Sequence, residues 1–241
     1  MGIENAILIG LSRQMALRHQ MDMVANNIAN MNTTAYKSEE LLFREYLVTS
    51  EQGDQMSYVE SYGTLRNTTE GAMRPTENPL DLAISGVGYF VVETEDGPKY
   101  TRNGHFRLNE EGQLTTMEGD PVLDVDDRII EFADPSTEIS VSKDGSITGV
   151  DGQDFRIAVV SFENDQALKK DQNGLYKTDQ DPVPVETPGV LQGMLEGSNV
   201  QPIIQMTNMI EVQRAYEQMQ KAMNTEHDLQ RDAIGRLGAV A

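Results

Sequence analysis

Cysteine is absent from the 241 residues, which excludes disulfides, thiolate metal sites and cysteine nucleophiles and leaves the compartment open. Proline is absent from both ends: all nine prolines lie between Pro75 and Pro202. A helix at either end therefore escapes the residue that most reliably breaks one. Basic residues are scarce, 19 Lys and Arg against 39 Asp and Glu, for a net charge of −20. That charge disfavours nucleic acid and anionic lipid as partners, because both usually need a basic patch that releases counterions. Long apolar runs are missing too. The longest near the start, Ala6 to Leu11, falls far short of the roughly 20 residues that span a bilayer, so no direct membrane insertion is expected. Glu4 stands before this run and Arg13 ends it, the wrong order for a secretory leader.

What is present divides the chain by position. Residues 1–37 sum to +1 and residues 203–241 to −1, so residues 38–202 hold the whole −20. Steps of four and three from Ile3 give Ile7, Gly10, Gln14, Leu17, Met21, Val24 and Ile28, a period of 3.5 residues interrupted at Gly10 and Gln14. A second seam reads Met209, Val212, Tyr216, Met219 and Met223, then turns polar at Glu226 and Gln230 before Ala233 and Leu237. Each large apolar side chain is worth roughly 1.5–3 kcal/mol when buried. An isolated helix is marginal in water, so both seams require partners: each other, other subunits, or the acidic body. Asn26, Asn27 and Asn30 read as the end of the first helix over Asn30–Thr34, or as amides that fix the register of packed helices.

The middle lacks helical periodicity. Asn103-Gly104, Glu111-Gly112, Glu118-Gly119, Asp144-Gly145, Asp151-Gly152 and Asn173-Gly174 are turn signals at antiparallel-sheet spacing. Between them Tyr89–Thr94, Lys99–Arg102, His105–Asn109, Ile129–Phe132, Ile139–Val141 and Phe155–Phe162 read as strands with Glu, Asp and Lys on the outer face. The expected fold is α+β: an N-terminal coiled-coil helix (1–36), an extended connector (37–77), an antiparallel all-β domain (78–192), and a C-terminal segment with the second coiled-coil helix (193–241).

Chemistry is hard to find. His19, His105 and His227 fall in separate segments without metal-ligand spacing. Gly86-Val87-Gly88 lacks the third glycine and following helix of a dinucleotide site, and Ser85 is in no nucleophile turn. The Asp124, Asp126, Asp127 cluster breaks the calcium-loop pattern at Arg128 and reads as a solvated acidic turn. No catalytic residue, cofactor or metal is expected.

Val24-Ala25-Asn26-Asn27-Ile28-Ala29-Asn30 with Thr33-Thr34-Ala35-Tyr36-Lys37 resembles the N-terminal signature of the bacterial flagellar rod and hook family. Leu195-Glu196-Gly197-Ser198-Asn199-Val200, Met206–Ile210 and Gln213-Arg214-Ala215-Tyr216-Glu217 resemble its C-terminal signature. Asn78–Gly86 and Tyr100–Phe106 look like its β-domain motifs. The opening Glu4–Gln14 and the segment Gly197–Pro202 look most like proximal-rod members, with distal-rod members as close relatives. One departure is Ala35, where relatives usually carry glycine; alanine weighs against a positive-φ turn there.

The resemblance implies a non-catalytic building block, exported unfolded by the flagellar type III apparatus and assembled head-to-tail in the periplasm into the basal-body rod, which transmits torque. It implies contacts with other rod proteins, the distal rod protein included, and with copies of itself, through helices that form an inner tube. On that reading the assembly interface is Ile3, Ile7, Leu17, Met21, Val24, Asn26, Asn27, Ile28 and Asn30 at one end, and Asn199, Met209, Val212, Gln213, Arg214, Tyr216, Met219 and Met223 at the other. The competing reading from the residues alone is a secreted β-rich binding protein or enzyme clamped by a helical pair.

Overall fold

The computed structural model describes residues 3–49, 55–132, 139–148 and 154–238. The expected turn at Asp151-Gly152 lies outside them. The chain divides into two compact units: one from residues 1–31, 38–67 and 200–241, the other from residues 32–37 and 68–199.

The first unit is two helices and a hairpin. Helix α1 spans Ile3–Ala29 and helix α2 spans Pro202–Gly238, and the two pack against each other. Neither contains a proline beyond its first residue, and Pro202 occupies the first turn, where the missing N–H costs nothing. A Cβ placed on Gly10 would lie 2.9 Å from Cε of Met219, and Val24 and Asn27 line one recess with Gln205 and Asn208. The helices therefore run antiparallel. At Gly10, an interruption in the apolar seam, Met219 and Met223 of the second helix take the space a side chain would fill.

Strands β1 (Glu39–Thr49) and β2 (Gln55–Arg66) fill much of the segment expected to be an extended connector. They are extended but paired, in antiparallel register from Glu39 opposite Arg66 to Thr49 opposite Gln55, with a bulge at Leu42/Phe43. A lone hairpin is at best marginal in water, and α1 packs against both strands. The carbonyl and N–H of Glu39 meet the Asn27 amide, which donates at 2.8 Å and accepts at 3.1 Å. Asn27 is 1% exposed. Its amide takes the place of a neighbouring strand for the first residue of β1, so it ties α1 to the hairpin.

The second unit is built on β3 (Tyr89–Thr94), β4 (Gly97–Thr101), β5 (Val159–Ser161), β6 (Lys169–Lys170), β7 (Leu175–Lys177) and β8 (Val183–Pro184), in the antiparallel sheet order β6-β7-β4-β3-β5-β8. Shorter pairs surround it, among them Leu82–Ser85 with Gly189–Gln192 and Met73–Pro75 with Met194–Glu196. Gly112, Gly119, Gly145 and Gly174 take positive φ at four of the expected turns. Ile129–Phe132, expected as a strand, makes single bridges at Ile129 and Glu131 instead, because its backbone groups are shared among Leu114, Val122 and Gly112.

The central sheet is not polar on one side. In β3 Phe90 and Val92 point into one core with Leu82, Phe106, Ile130 and Ile157, while Tyr89 and Val91 enter a second cluster with Tyr100, Val160, Phe162 and Tyr176. Tyr-Phe-Val-Val reads as one apolar run because both faces of the strand are covered. Asp124, expected as part of a solvated turn, is buried. It accepts from the N–H groups of Asp126 and Arg128, both at 2.9 Å, and from the Arg128 guanidinium. Burial would push its carboxyl up, but these hydrogen bonds outweigh that and hold it below the usual range.

Candidate assembly seam and buried ion triad

Along α1 the described seam positions are all buried or half-buried: Gly10 and Val24 are buried, and Gln14, Leu17, Met21 and Ile28 half-buried. On α2 Val212 is buried, and Met209, Tyr216, Met219 and Met223 are half-buried. The side chains of Ile3, Ile7, Ala233 and Leu237 lie outside the described residues. Gln213 and Arg214 are exposed, and Gln213 spends its amide on Glu217 one turn on, at 3.1 Å. Asn26 is exposed and receives the Asn30 amide at its carbonyl, 2.9 Å away, where α1 ends.

What the packed helices leave open is as informative. Leu8, Leu11 and Met15 are 44–54% exposed and lie one turn apart along α1. Ile203, Met206 and Ile210 repeat that spacing on α2, at 49–82%. Because the helices are antiparallel, the first stripe sits beside the region of Met219 and Met223, and the second beside the far end of α1. Two exposed apolar stripes thus lie at opposite ends of one helix pair.

The motif residues of the second unit converge on a buried carboxylate. Glu196 has a fully buried side chain; Lys37 Nζ donates to Oε1 at 2.5 Å and Arg102 Nη1 to Oε2 at 3.0 Å. The Gly71 N–H adds a third bond to Oε1 at 3.0 Å. A Cβ on Gly71 would fall 1.9 Å from the carbonyl oxygen of Gly197, so only glycine lets this backbone come close enough to donate. Lys37 also donates to the carbonyl of Thr69 at 2.8 Å, and Arg102 spends its Nε on Gly88 at 2.8 Å. Asn199, expected at an assembly interface, serves the same cluster of segments: its amide donates to Thr69 and its N–H to Tyr36.

Burial alone would push the Glu196 carboxyl up, yet the Lys37 hydrogen bond, the charge of Arg102 and the Gly71 N–H hold it below the usual carboxylate range. Lys37 moves down instead: burial outweighs its share of Glu196, and Arg102 repels it. One carboxylate between two cations is favoured twice over, while each cation has half a partner, so the triad is tied to the ionised state of Glu196. Residues from three motifs distant in sequence thus share one ion cluster. Spacing offered no sign of this, because charge pairing across 159 residues is invisible without the fold.

Ala35 takes φ +56° after all, with its N–H donating to the carbonyl of Glu196 at 2.8 Å. The left-handed turn expected to be avoided is formed, and alanine bears a strain of roughly 1–2 kcal/mol there. Ala35→Gly is expected to stabilise this unit and raise its thermal midpoint by about 1–3 °C, less than the full relief because glycine gains freedom in the unfolded chain. Differential scanning calorimetry reads this directly; an unchanged or lower midpoint would show that the neighbouring contacts already absorb the strain.

Among the described residues no group of three or more His, Cys, Asp or Glu side chains could hold a metal, and no helix is long and apolar enough to cross a membrane.

Three family models match in the order of the sequence: flagella basal body rod protein over residues 7–37, flagellar hook protein FlgE/F/G D1 domain over 83–149, and flagellar basal body rod FlgEFG protein C-terminal over 191–236. The flagellar basal-body rod protein FlgF of Caulobacter vibrioides is 41% identical, covering 99% of the chain and 100% of the relative. FlgF of Mesorhizobium japonicum is 31% identical over 98% of the chain and 99% of its own length. The rod protein FlgG of Bacillus subtilis is 28% identical over 93% and 96%.

Proposed function

The chain belongs to the flagellar basal-body rod family, and from that premise we propose how its geometry serves a rod. It is a structural subunit of the basal-body rod, similar to FlgF, located there and acting without catalysis alongside other rod proteins.

The finer reading is that α1 and α2 form an antiparallel coiled coil, since the 3.5-residue period on both and the close approach at Gly10 suit knobs-into-holes packing. Copies then stack head-to-tail, the Leu8, Leu11 and Met15 stripe of one meeting the Ile203, Met206 and Ile210 stripe of the next. A contact of this kind does not close on itself and grows a helical filament. The observation that carries the reading is the pair of exposed stripes at opposite ends of one helix pair. The seam residues named from the sequence act mainly within the subunit, leaving the exposed Gln213 and Arg214 to neighbours. The 41% identity to FlgF of Caulobacter vibrioides, against 28% to FlgG of Bacillus subtilis and 32% to FlgG of Buchnera aphidicola, supports the proximal position. Passage through the type III export apparatus, contact with the distal rod protein and transmission of torque follow from the same placement.

The absence of cysteine provides the test. Leu11→Cys and Ile210→Cys, combined in one chain, are expected to give disulfide-linked multimers in isolated basal bodies, and neither single variant should do so. Basal bodies in which the double variant stays monomeric after oxidation would overturn the head-to-tail pairing.

A further inference from the structure

The side of the central sheet that carries the second apolar cluster bears a groove of about 780 Å³, within the range of ~300–1,000 Å³ typical of ligand sites. Val91, Tyr100, Leu123, Ala158 and Val160 supply its floor, each no more than 7% exposed. Pro98, Pro182 and Pro184 line it as well, and Val125 beside Asp124 is 52% exposed. The lining is therefore apolar at the bottom and open above.

Its lining is net negative, four carboxylates against the one guanidinium of Arg156. Glu93, Asp127 and Glu186 contribute carboxylates to the lining, Asp127 and Glu186 exposed and Glu93 half-buried. The basic side chain that lines it, Arg156, is already engaged: its Nε donates to the carbonyl of Asp144 at 3.2 Å and its Nη2 to that of Glu186. Asp124 is closed off by Arg128, whose Nη2 lies 2.6 Å away. The field of the rim reaches the floor, for burial and then the charge of Asp127 push the Tyr100 hydroxyl up. A cleft with a net negative lining and apolar walls concentrates cations. Residues 68–199 add to this, with 26 acidic against ten basic residues.

Backbone pairing is a poor route into the groove. The edge strand β8 contains Pro184, opposite Val160, and proline has no N–H to offer an added strand. Recognition must run through side chains. We propose that this groove binds an extended peptide segment of another protein, one that carries a large apolar side chain between basic residues. The apolar group fills the floor over Val160 and Ala158, and the cations meet Glu93, Asp127 and Glu186.

The probe is a fluorescein-labelled hexapeptide of Leu-Phe flanked by two lysines on each side, titrated with the full-length chain and followed by anisotropy. Its binding is expected to weaken about tenfold or more in the triple variant Glu93→Lys, Asp127→Lys, Glu186→Lys, and steeply with added salt. Ala158→Met, which fills the floor while leaving every charge in place, is expected to weaken it comparably. This second variant decides the matter if the triple variant melts early. Equal binding of the Glu-flanked counterpart by the parent chain, or undiminished binding of the Lys-flanked peptide by both variants, would overturn the proposal. So would loss of self-association by the triple variant in sedimentation velocity without peptide, because the occupant would then be a second copy of this chain.

Discussion

Replacing Glu196 with glutamine is expected to cost the β unit on the order of 3–5 kcal/mol, the penalty of breaking a buried ion cluster from one side. Lys37 and Arg102, both nearly buried, would be left with no anion between them. Most domains are stable by only about 5–15 kcal/mol, so the variant should be close to unfolding at 37 °C. Urea denaturation monitored by tyrosine fluorescence gives the measurement, and a midpoint within error of the parent would sink the assignment. Glu196→Gln combined with Lys37→Met should recover part of the loss, because one unpaired cation leaves with its partner.

The same carboxylate sets a pH dependence whose sign follows from its direction of shift. Folding holds Glu196 below the usual range, so the unfolded chain binds this proton more readily. The contribution is fully present above the unfolded value of about 4.3 and is lost as pH falls from there through the lower folded value. The parent should lose stability more steeply than the Glu196→Gln variant below about pH 5.

The second large effect concerns the helices. Val24 is 6% exposed on α1, and Val24→Asp would bury a carboxylate with no cation beside it among the partners the structure shows. The helical unit should lose its packing at a cost of several kcal/mol, and motility should be abolished. Residues 68–199 have their own core, so limited proteolysis should still release a resistant β fragment. Leu11→Asp is the informative contrast. Leu11 is 44% exposed, so the variant should fold normally and yet fail to swim, which separates assembly from folding. Normal swarming by Leu11→Asp would remove the α1 stripe from the assembly surface.

Much of this was legible in the chain. Helical seams declare themselves because one face of a helix repeats every 3.5 residues, and Val24, Leu17, Val212 and Met219 all point inward or nearly so. Strand β3 was legible as an apolar run and the Gly-containing turns as sharp reversals, since both are local properties of a few residues. The hairpin was not: residues 39–66 mix charged and apolar side chains without clean alternation, and its stability comes from α1 and from the Asn27 amide, which no local pattern announces.

The sequence by itself determined where helices could form, where the backbone had to turn, which chemistry was out of reach without cysteine or clustered histidine, and which family the end motifs resemble. Only the tertiary structure decided what those motifs do. Lys37, Arg102 and Glu196 are three unremarkable charges until the fold removes water from around them. Partners that far apart in sequence are chosen by packing and desolvation, which are properties of the folded chain and not of any stretch of it.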